Sequence, residues 1–158
     1  MMKLLVDTNV FYDYFARRHP FDREAALLLF GCAMRDFEVW ISSSQVTDLY
    51  FLLTHGDERL SKEFASGTLQ RLRRHVRVAA LTEADVDDAL AAQWNDFEDA
   101  CIGSVARRIK ATYVVTRNKK DFVRSPIPAV TPTEFLDLFA EQTGITYDQI
   151  QIEGEGRD

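Results

Sequence analysis

Six oxygen-bearing side chains in this sequence could together bind a hard metal ion. They stand beside apolar segments along the chain, at Asp7, Asp48, Asp96, Asp99, Asn118 and Asp121. Carboxylates that share a small site resist ionising together, and a divalent cation such as Mg²⁺ or Mn²⁺ removes that conflict. Mg²⁺ usually keeps several waters and completes its shell with substrate phosphates. If these residues converge, they predict metal-assisted phosphodiester chemistry.

Taken singly, each acid has a plainer explanation. Asp7 could cap the helix that follows it, and Asp96 could cap the helix that contains Asp99. Asp48 suits an exposed helical position, and Asp121 suits a surface loop. The metal hypothesis therefore depends on whether the fold brings these segments together.

The apolar pattern predicts strands that alternate with helices. Short β-rich runs predict strands at residues 4–6, 37–41, 76–81, 113–116 and 127–131, the last at a sheet edge because it contains prolines. Helical periodicity fills the intervals, including helices at about 23–35 and 59–74. The first of these is expected to follow a cap at Asp22 and to bury Ala26, Leu29, Phe30 and Ala33. The alternation predicts an α/β fold with a parallel sheet covered on both faces.

This topology places most of the candidate residues at one edge of the sheet. Asp7 ends the first strand, Asp48 lies one turn into the helix after the second strand, and the loop 118–121 follows the fourth strand. Right-handed crossovers bring the carboxyl ends of parallel strands to a common edge, where ligands gather. Asp99 begins a helix that leads back to a strand, so the topology fixes its position less firmly.

Charge and composition limit the remaining functions. The chain has 158 residues and a net charge of −6, which on its face argues against nucleic-acid binding. Basic residues nevertheless cluster at 71–77, 107–110 and 117–120, and Arg117, Lys119 and Lys120 are candidates for binding a nucleic-acid backbone. The three histidines show no metal-ligand spacing, so a metal site must use oxygen ligands. Cys32 and Cys101 are expected to be free thiols in the core of a cytoplasmic protein.

The sequence is expected to form a single domain, without a membrane-spanning or export segment. The first apolar run ends at Asp7, too early for a signal peptide, and no run reaches the length of a membrane span. Residues 1–143 are expected to form the domain. Residues 144–158 are expected to form a C-terminal tail, with a loose strand at 145–152 and disorder after 154.

Several segments resemble those of the PIN domain, and in particular the VapC-type toxin ribonucleases of bacterial toxin–antitoxin pairs. The resemblance runs from about residue 3 to 138 and is carried by five segments: Leu5-Val-Asp-Thr-Asn-Val10, Ile41-Ser-Ser-Ser-Gln-Val-Thr-Asp-Leu-Tyr50, Asp96-Phe-Glu-Asp-Ala-Cys-Ile-Gly103, Tyr113-Val-Val-Thr-Arg-Asn-Lys-Lys-Asp-Phe122 and Pro128-Ala-Val-Thr-Pro-Thr-Glu-Phe-Leu136. It implies a three-layer α/β/α fold with a central parallel sheet of four or five strands. It also implies RNA hydrolysis dependent on Mg²⁺ or Mn²⁺, a homodimer, and inhibition by a small antitoxin protein.

The resemblance also implies roles for individual residues. Asp7 and Asp99 match the first and third acids of the family, which hold metal. Asp48 stands where the family usually has Glu and is shorter by one methylene, so it is expected to hold the metal or its water. Asn118 stands where a fourth acid often lies, and Asp121 or Asp96 is expected to contribute there. The supporting residues are Thr116, which resembles the hydroxyl residue beside the first acid, and Thr8 and Asn9, which are expected to orient ligands.

Two alternatives follow from departures within the same segments. The shorter Asp48 and the neutral Asn118 are also compatible with a catalytically weakened PIN-like module that binds RNA or protein. A haloacid-dehalogenase-like phosphatase also places a nucleophilic Asp after its first strand, but it requires a second acid two positions later, where this chain has Asn9.

Overall fold

Five short strands form one parallel sheet in the order β3-β2-β1-β4-β5. The structure is a computed structural model that describes residues 1–147. In the central strand, Leu5 is paired with Trp40 on one side and with Val114 on the other. Because parallel neighbours need crossover connections, each strand is followed by helical chain before the next. The strands are β1 Lys3–Val6, β2 Glu38–Ser42, β3 Arg77–Ala79, β4 Tyr113–Val115 and β5 Ala129–Val130.

Helices connect and cover the strands, and short polar signals mark several of their ends. Ser42, Thr82 and Thr131 form capping boxes with the residue three positions later. Gly144, at a φ of 73°, ends the last helix. The α-helices are α1 Thr8–Phe15, α2 Asp22–Ala33, α3 Ser43–His55, α4 Lys62–Leu72, α5 Glu83–Ala92, α6 Phe97–Arg108 and α7 Pro132–Thr143, and a 3₁₀ helix spans Lys119–Phe122.

The sheet lies between two helical layers, as the predicted three-layer α/β/α fold requires. Leu4 and Val6 of β1 point into a core shared with α1, α2, α3, α4 and α7. Leu5 points the other way, into a core shared with α6. Since successive strand residues face opposite sides, three consecutive apolar residues can serve both cores. Helix α5 packs on α6 through a small cluster of Ala89, Ala100 and Cys101.

The buried face of α2 agrees with the prediction in part. Ala26 is buried and Leu29 packs half-buried against the core, as predicted. Phe30 is 39% exposed and Ala33 is exposed, whereas Leu28 and Cys32 are buried. The helix is therefore rotated by about one residue relative to the expected face. Gly31 lies on the buried face, where a Cβ would lie 2.6 Å from the ring of Phe37, so glycine permits this close approach.

Other predictions were wrong only at element ends. Asp22 is the first residue of α2 rather than its cap, since the N-cap position is Phe21. The third strand spans only residues 77–79 and the fourth helix only residues 62–72, so both are shorter than expected. Cys32 and Cys101 are free and buried, as expected. Residues 145–147 belong to no strand, and the rest of the predicted tail lies outside the described residues. Within residues 1–147, no helix combines the length and the apolarity that crossing a membrane requires.

Candidate functional site

A cleft of about 600 Å³ opens where the parallel strands end. Residues that directly follow β1, β2, β3 and β4 line it, together with the first turn of α6. This is the edge at which a parallel sheet presents ligand-binding residues. Thr8 and Asn9 line the cleft. So do all six predicted metal-site residues, which are Asp7, Asp48, Asp96, Asp99, Asn118 and Asp121. Their convergence in one cleft agrees with the sequence prediction, and their roles as ligands stay predictions.

Asp7 is held between β1 and β4 and is only 6% exposed. Its backbone N–H donates to the carbonyl of Val115 at 2.9 Å, which continues the sheet one residue beyond β1. Asp7 occupies the N-cap position of α1, yet its side chain makes no capping hydrogen bond. The plainer explanation of Asp7 as a helix cap is therefore wrong. Its carboxylate points into the cleft instead.

Thr116 fixes the orientation of that carboxylate. The hydroxyl of Thr116 is fully buried and donates to Oδ2 of Asp7 at 2.9 Å. The same hydroxyl accepts the backbone N–H of Asn118 at 3.0 Å. One side chain thus links the end of β1 to the loop after β4. Thr116 was predicted to lie beside the first acid, and it does.

The start of α3 is joined to the end of β1 by a side chain that the sequence analysis missed. Gln45 is 1% exposed, and its Nε2 donates to the carbonyl of Val6 at 2.9 Å and to Oγ1 of Thr8 at 3.3 Å. Its Oε1 accepts the N–H of Ser42 in the capping box. Asp48 follows one turn later and faces the cleft. The Ser-x-x-Gln spacing was the available signal, because a capping-box Gln at a strand end is fixed in place.

The first turn of α6 places Asp99 in the cleft. Oδ1 of Asp96 accepts the N–H of Asp99 at 3.0 Å, so Asp96 is the predicted N-cap. Capping engages this one carboxylate oxygen of Asp96. Glu98, which the sequence analysis did not consider, also lines the cleft. Its position directly before Asp99 in the first helical turn was the signal for it.

Burial and mutual repulsion make the cleft carboxylates reluctant to ionise. Burial, followed by the charges of Asp7, Asp96, Asp121 and Glu98, raises the pKa of Asp99 to about 7. Burial also raises the pKa of Asp7, against the lowering effects of the Thr116 hydrogen bond and the Arg117 charge. For Glu98, burial and then the charge of Asp48 raise the pKa. Several carboxylates therefore share one electrostatic environment.

The predicted RNA-binding cations are not among the residues that line the cleft. Both Nε and Nη2 of Arg117 donate to Asp13, at 2.6 and 3.1 Å. Nζ of Lys119 lies 2.7 Å from Oε1 of Glu134 on α7. Lys120 is exposed. RNA binding by these residues stays a prediction, and Asp13 is a second buried acid that sequence reasoning missed.

The sequence of this chain matches the family described as PIN domain over residues 3–120. The match covers well over half of the chain. The protein belongs to the PIN domain family. A comparison with curated protein sequences gave no significant match.

Solved structures with this PIN fold include components of toxin–antitoxin systems. The VapBC2 structure from Rickettsia felis, bound to a DNA fragment from its promoter, aligns with a TM-score of 0.63 at 16% identity and covers 82% of this chain and 98% of that one. A toxin–antitoxin complex from Klebsiella pneumoniae gives 0.60 at 22% identity, over 82% and 97%. VapC20 from Mycobacterium tuberculosis, described as a Sarcin-Ricin loop cleaving toxin, gives 0.56 at 19% identity, over 70% and 86%. At these identities the likeness concerns the fold.

The side chains in the cleft of this PIN domain fit a hard divalent cation. Their donors are carboxylate, amide and hydroxyl oxygens, the ligands that Mg²⁺ and Mn²⁺ prefer. A cation would also relieve the repulsion that raises the pKa of Asp99. Within residues 1–147, no three His, Cys, Asp or Glu side chains form a group arranged to hold a metal ion.

Proposed function

We propose that this protein is an endoribonuclease dependent on Mg²⁺ or Mn²⁺ and that it is the toxin of a toxin–antitoxin pair. One observation carries the proposal: five aspartates from different segments line one cleft at the edge of the sheet where ligands gather, namely Asp7, Asp48, Asp96, Asp99 and Asp121. Carboxylates gathered in one place repel one another unless a cation offsets their charge. Membership of the PIN family supports nuclease activity.

In this proposal the acids divide the work of holding the metal. Asp7 and Asp99 bind it directly, Asp48 binds it or one of its waters, and Asp121, Asn118 or Asp96 completes the site. When bound, the metal supplies a water of lowered pKa and stabilises charge on the phosphoryl oxygens. Thr116 holds the Asp7 carboxylate in one orientation through its hydrogen bond. Thr8 and Asn9, which also line the cleft, orient ligands or their waters.

RNA is the substrate that we propose, and the support comes from the family. The structural neighbour from Mycobacterium tuberculosis is described as cleaving the Sarcin-Ricin loop. Lys119 and Lys120 are exposed in the 3₁₀ helix after β4, beside the cleft residues Asn118 and Asp121, and we propose that they contact the phosphate backbone of the RNA. We propose that Arg117 contributes to RNA binding at most through the loop that carries it, because its guanidinium is paired with Asp13.

A small antitoxin and a second copy of the chain are the protein partners that we propose. The support for an antitoxin is that the neighbours from Rickettsia felis and Klebsiella pneumoniae are toxin–antitoxin complexes. The homodimer rests on the family resemblance of the sequence. A toxin that cuts cellular RNA acts in the cytoplasm, and this is the compartment that we propose.

A cleavage assay with end-labelled RNA tests the function directly. We expect Mn²⁺ to support cleavage, EDTA to abolish it, and Asp7→Asn or Asp99→Asn to lower the rate by about 100-fold or more. Asp137→Asn is the matched control, because Asp137 is an exposed acid on α7. Cleavage that persisted in EDTA, or in either cleft variant, would overturn the proposal. A parallel assay with DNA of the same sequence tests the choice of RNA.

The weakened PIN-like module is the second candidate, and two observations favour it. Asn118 is neutral at a family acid position, and the described residues form no ready-made shell. Calorimetry separates the two candidates, since a weakened site should bind Mn²⁺ no better than the Asp7→Asn variant does. The phosphatase alternative has no support once the chain belongs to the PIN family.

A further inference from the structure

A buried ion pair joins two of the segments that build the cleft. Asp13 lies on α1, six residues after Asp7, and its side chain is 1% exposed. Arg117 lies between Thr116 and Asn118 in the loop after β4. The guanidinium of Arg117 donates from Nε to Oδ2 of Asp13 at 2.6 Å and from Nη2 to Oδ1 at 3.1 Å. Both carboxylate oxygens are therefore engaged by one planar fork.

Surrounding side chains restrict the guanidinium of Arg117 further. The ring of Phe21 lies 4.1 Å from the guanidinium carbon. The Arg117 side chain is only 21% exposed. A second cation, Arg18, lies 3.6 Å from Oδ1 of Asp13 and is more exposed. An arginine whose fork and face are both occupied is poorly placed to bind a phosphate as well.

The Asp13–Arg117 pair is adjacent in the loop to the hydrogen bond that holds Asp7. Thr116 donates to Asp7, and Arg117, the next residue, donates to Asp13 on the helix that Asp7 begins. The backbone N–H of Asn118, the residue after Arg117, donates a hydrogen bond to the Thr116 hydroxyl. Two adjacent residues of one loop are thus bonded to Asp7, the N-cap residue of α1, and to Asp13 within α1. Two such contacts restrict the movement of the loop more than one does.

We propose that Asp13 and Arg117 are positioning residues that fix the loop after β4, and with it the orientation of Asp7 and Asn118 in the cleft. The roles of Asp7 and Asn118 in this inference rest on the proposed function. Whether the pair holds the loop can be tested independently of that function. Partners that orient metal ligands from behind commonly change metal affinity by about 10- to 100-fold when they are removed. Neither residue touches the metal or the substrate in this account.

Amide hydrogen exchange in the metal-free protein is the first test. The Asn118 N–H donates to Thr116, so its protection reports directly on whether the loop is held. We expect Arg117→Lys and Asp13→Asn to speed exchange of this amide by roughly tenfold or more. Amides of β1 should be unchanged. The control variants Arg107→Lys and Asp88→Asn disrupt an exposed ion pair between α5 and α6 and should leave Asn118 protected.

Metal affinity and RNA kinetics complete the test. We expect the two loop variants to weaken Mn²⁺ binding by about 10- to 100-fold and to lower kcat, with the KM for RNA changed less than about twofold. A raised KM with a weaker salt dependence, but unchanged Mn²⁺ affinity, would instead mean that Arg117 binds RNA phosphate. A loss of thermal stability with unchanged Asn118 protection and Mn²⁺ affinity would mean that the pair is merely structural. Either result overturns the proposal.

A double variant covers the case in which single variants do not fold. Asp13→Leu combined with Arg117→Met removes both charges, and buried ion pairs can often be replaced by apolar residues without loss of folding. We expect this protein to fold with Asn118 still unprotected, because Met cannot fasten the loop. Full protection of Asn118 in the folded double variant would contradict the proposal. If wild-type protein neither binds Mn²⁺ nor cuts RNA, the proposed function fails, while hydrogen exchange still decides whether the pair holds the loop.

Discussion

The hydroxyl of Thr116 donates a 2.9 Å hydrogen bond to Oδ2 of Asp7, across 109 positions of sequence. Both side chains are buried, and the bond joins the ends of the two central strands β1 and β4. The carboxylate that the family resemblance assigns to the metal is thus oriented before any metal binds. Because of this bond, substitutions at Thr116, at Asp7 and at neighbouring residues should change the stability of the protein and its response to metal in measurable ways.

Replacing Thr116 with valine should destabilise the protein. Valine keeps the shape but removes the hydroxyl that bonds Oδ2 of Asp7 and the Asn118 N–H. Hydrogen bonds to charged groups contribute about 1.5–3 kcal/mol, so we expect the free energy of unfolding to fall by about 2 kcal/mol. Urea unfolding in EDTA measures this. Thr68→Val is the matched control. Thr68 is equally buried, but its hydroxyl only accepts a half-buried hydrogen bond from the guanidinium of Arg71. Equal losses in the two variants would contradict the prediction.

Replacing Asp7 with asparagine should stabilise the metal-free protein while removing its response to metal. Burial raises the pKa of Asp7, because it disfavours the ionised carboxylate. Asparagine carries no charge and can still accept from Thr116. We therefore expect the free energy of unfolding in EDTA to be higher for Asp7→Asn than for wild type. With Mn²⁺ added, wild type should become more stable and Asp7→Asn should not. A variant that is less stable than wild type in EDTA would show that burial does not strain this carboxylate.

The stability of the metal-free protein should fall as pH rises towards neutrality. The pKa of Asp99 is raised from 3.8 to about 7 in the folded state. Between these values the folded protein keeps a proton that the unfolded chain has released, so each increase in pH favours unfolding. The loss should begin near pH 4 and be complete above pH 7. Urea midpoints in EDTA across this range measure it.

Asp99→Asn isolates that contribution. Asparagine cannot titrate, so the variant should show a shallower fall in stability over the same pH range than wild type. At pH 7.5 it should also be the more stable of the two in EDTA, because the repulsion from the other cleft carboxylates is gone. The same slope in both proteins would mean that Asp99 ionises as an ordinary exposed aspartate. Mn²⁺ should reduce the pH dependence of wild type, since it competes with the proton.

The fold could be predicted from the sequence because local patterns and connection rules agree. The buried run before Asp7 and the helical spacing around Leu49 require a parallel sheet between helices. Once strands are parallel, residues that follow their carboxyl ends meet, which is why Asp7 and Asn118 could be expected together. Asp99 joined them because α6 packs on the Leu5 side of the sheet with its first turn at the cleft. The sequence pattern alone does not decide on which side of the sheet α6 packs.

The parts that could not be predicted depend on which side chain meets which. Arg117 belongs to a basic run, and a run of like charge indicates a solvated face unless a buried partner is known. Its partner Asp13 lies 104 positions away on a helix with an ordinary amphipathic pattern. In α2, Gly31 lies on the buried face and approaches Phe37 closely. Pairings between distant segments of this kind leave no local signal in composition or spacing.

Lengthening Asp48 should strengthen the metal site. Asp48 lines the cleft from α3 and stands where the resembling family usually has Glu, which reaches about one methylene further. Asp48→Glu adds that reach and keeps the charge, so we expect Mn²⁺ affinity to rise several-fold and the RNA cleavage rate to rise with it. Asp48→Asn should lower both, because it removes the charge that attracts the cation.

Calorimetry with Mn²⁺ and single-turnover RNA cleavage measure the two effects of Asp48 separately. Asp87→Glu is the matched control, since Asp87 is an exposed acid on α5 where an added methylene meets only solvent. If Asp48→Glu bound Mn²⁺ more tightly but cut RNA no faster, Asp48 would hold the metal without limiting the chemistry. If neither Asp48 variant changed Mn²⁺ affinity, Asp48 would have no part in the metal site, and the remaining acids would have to hold the cation alone.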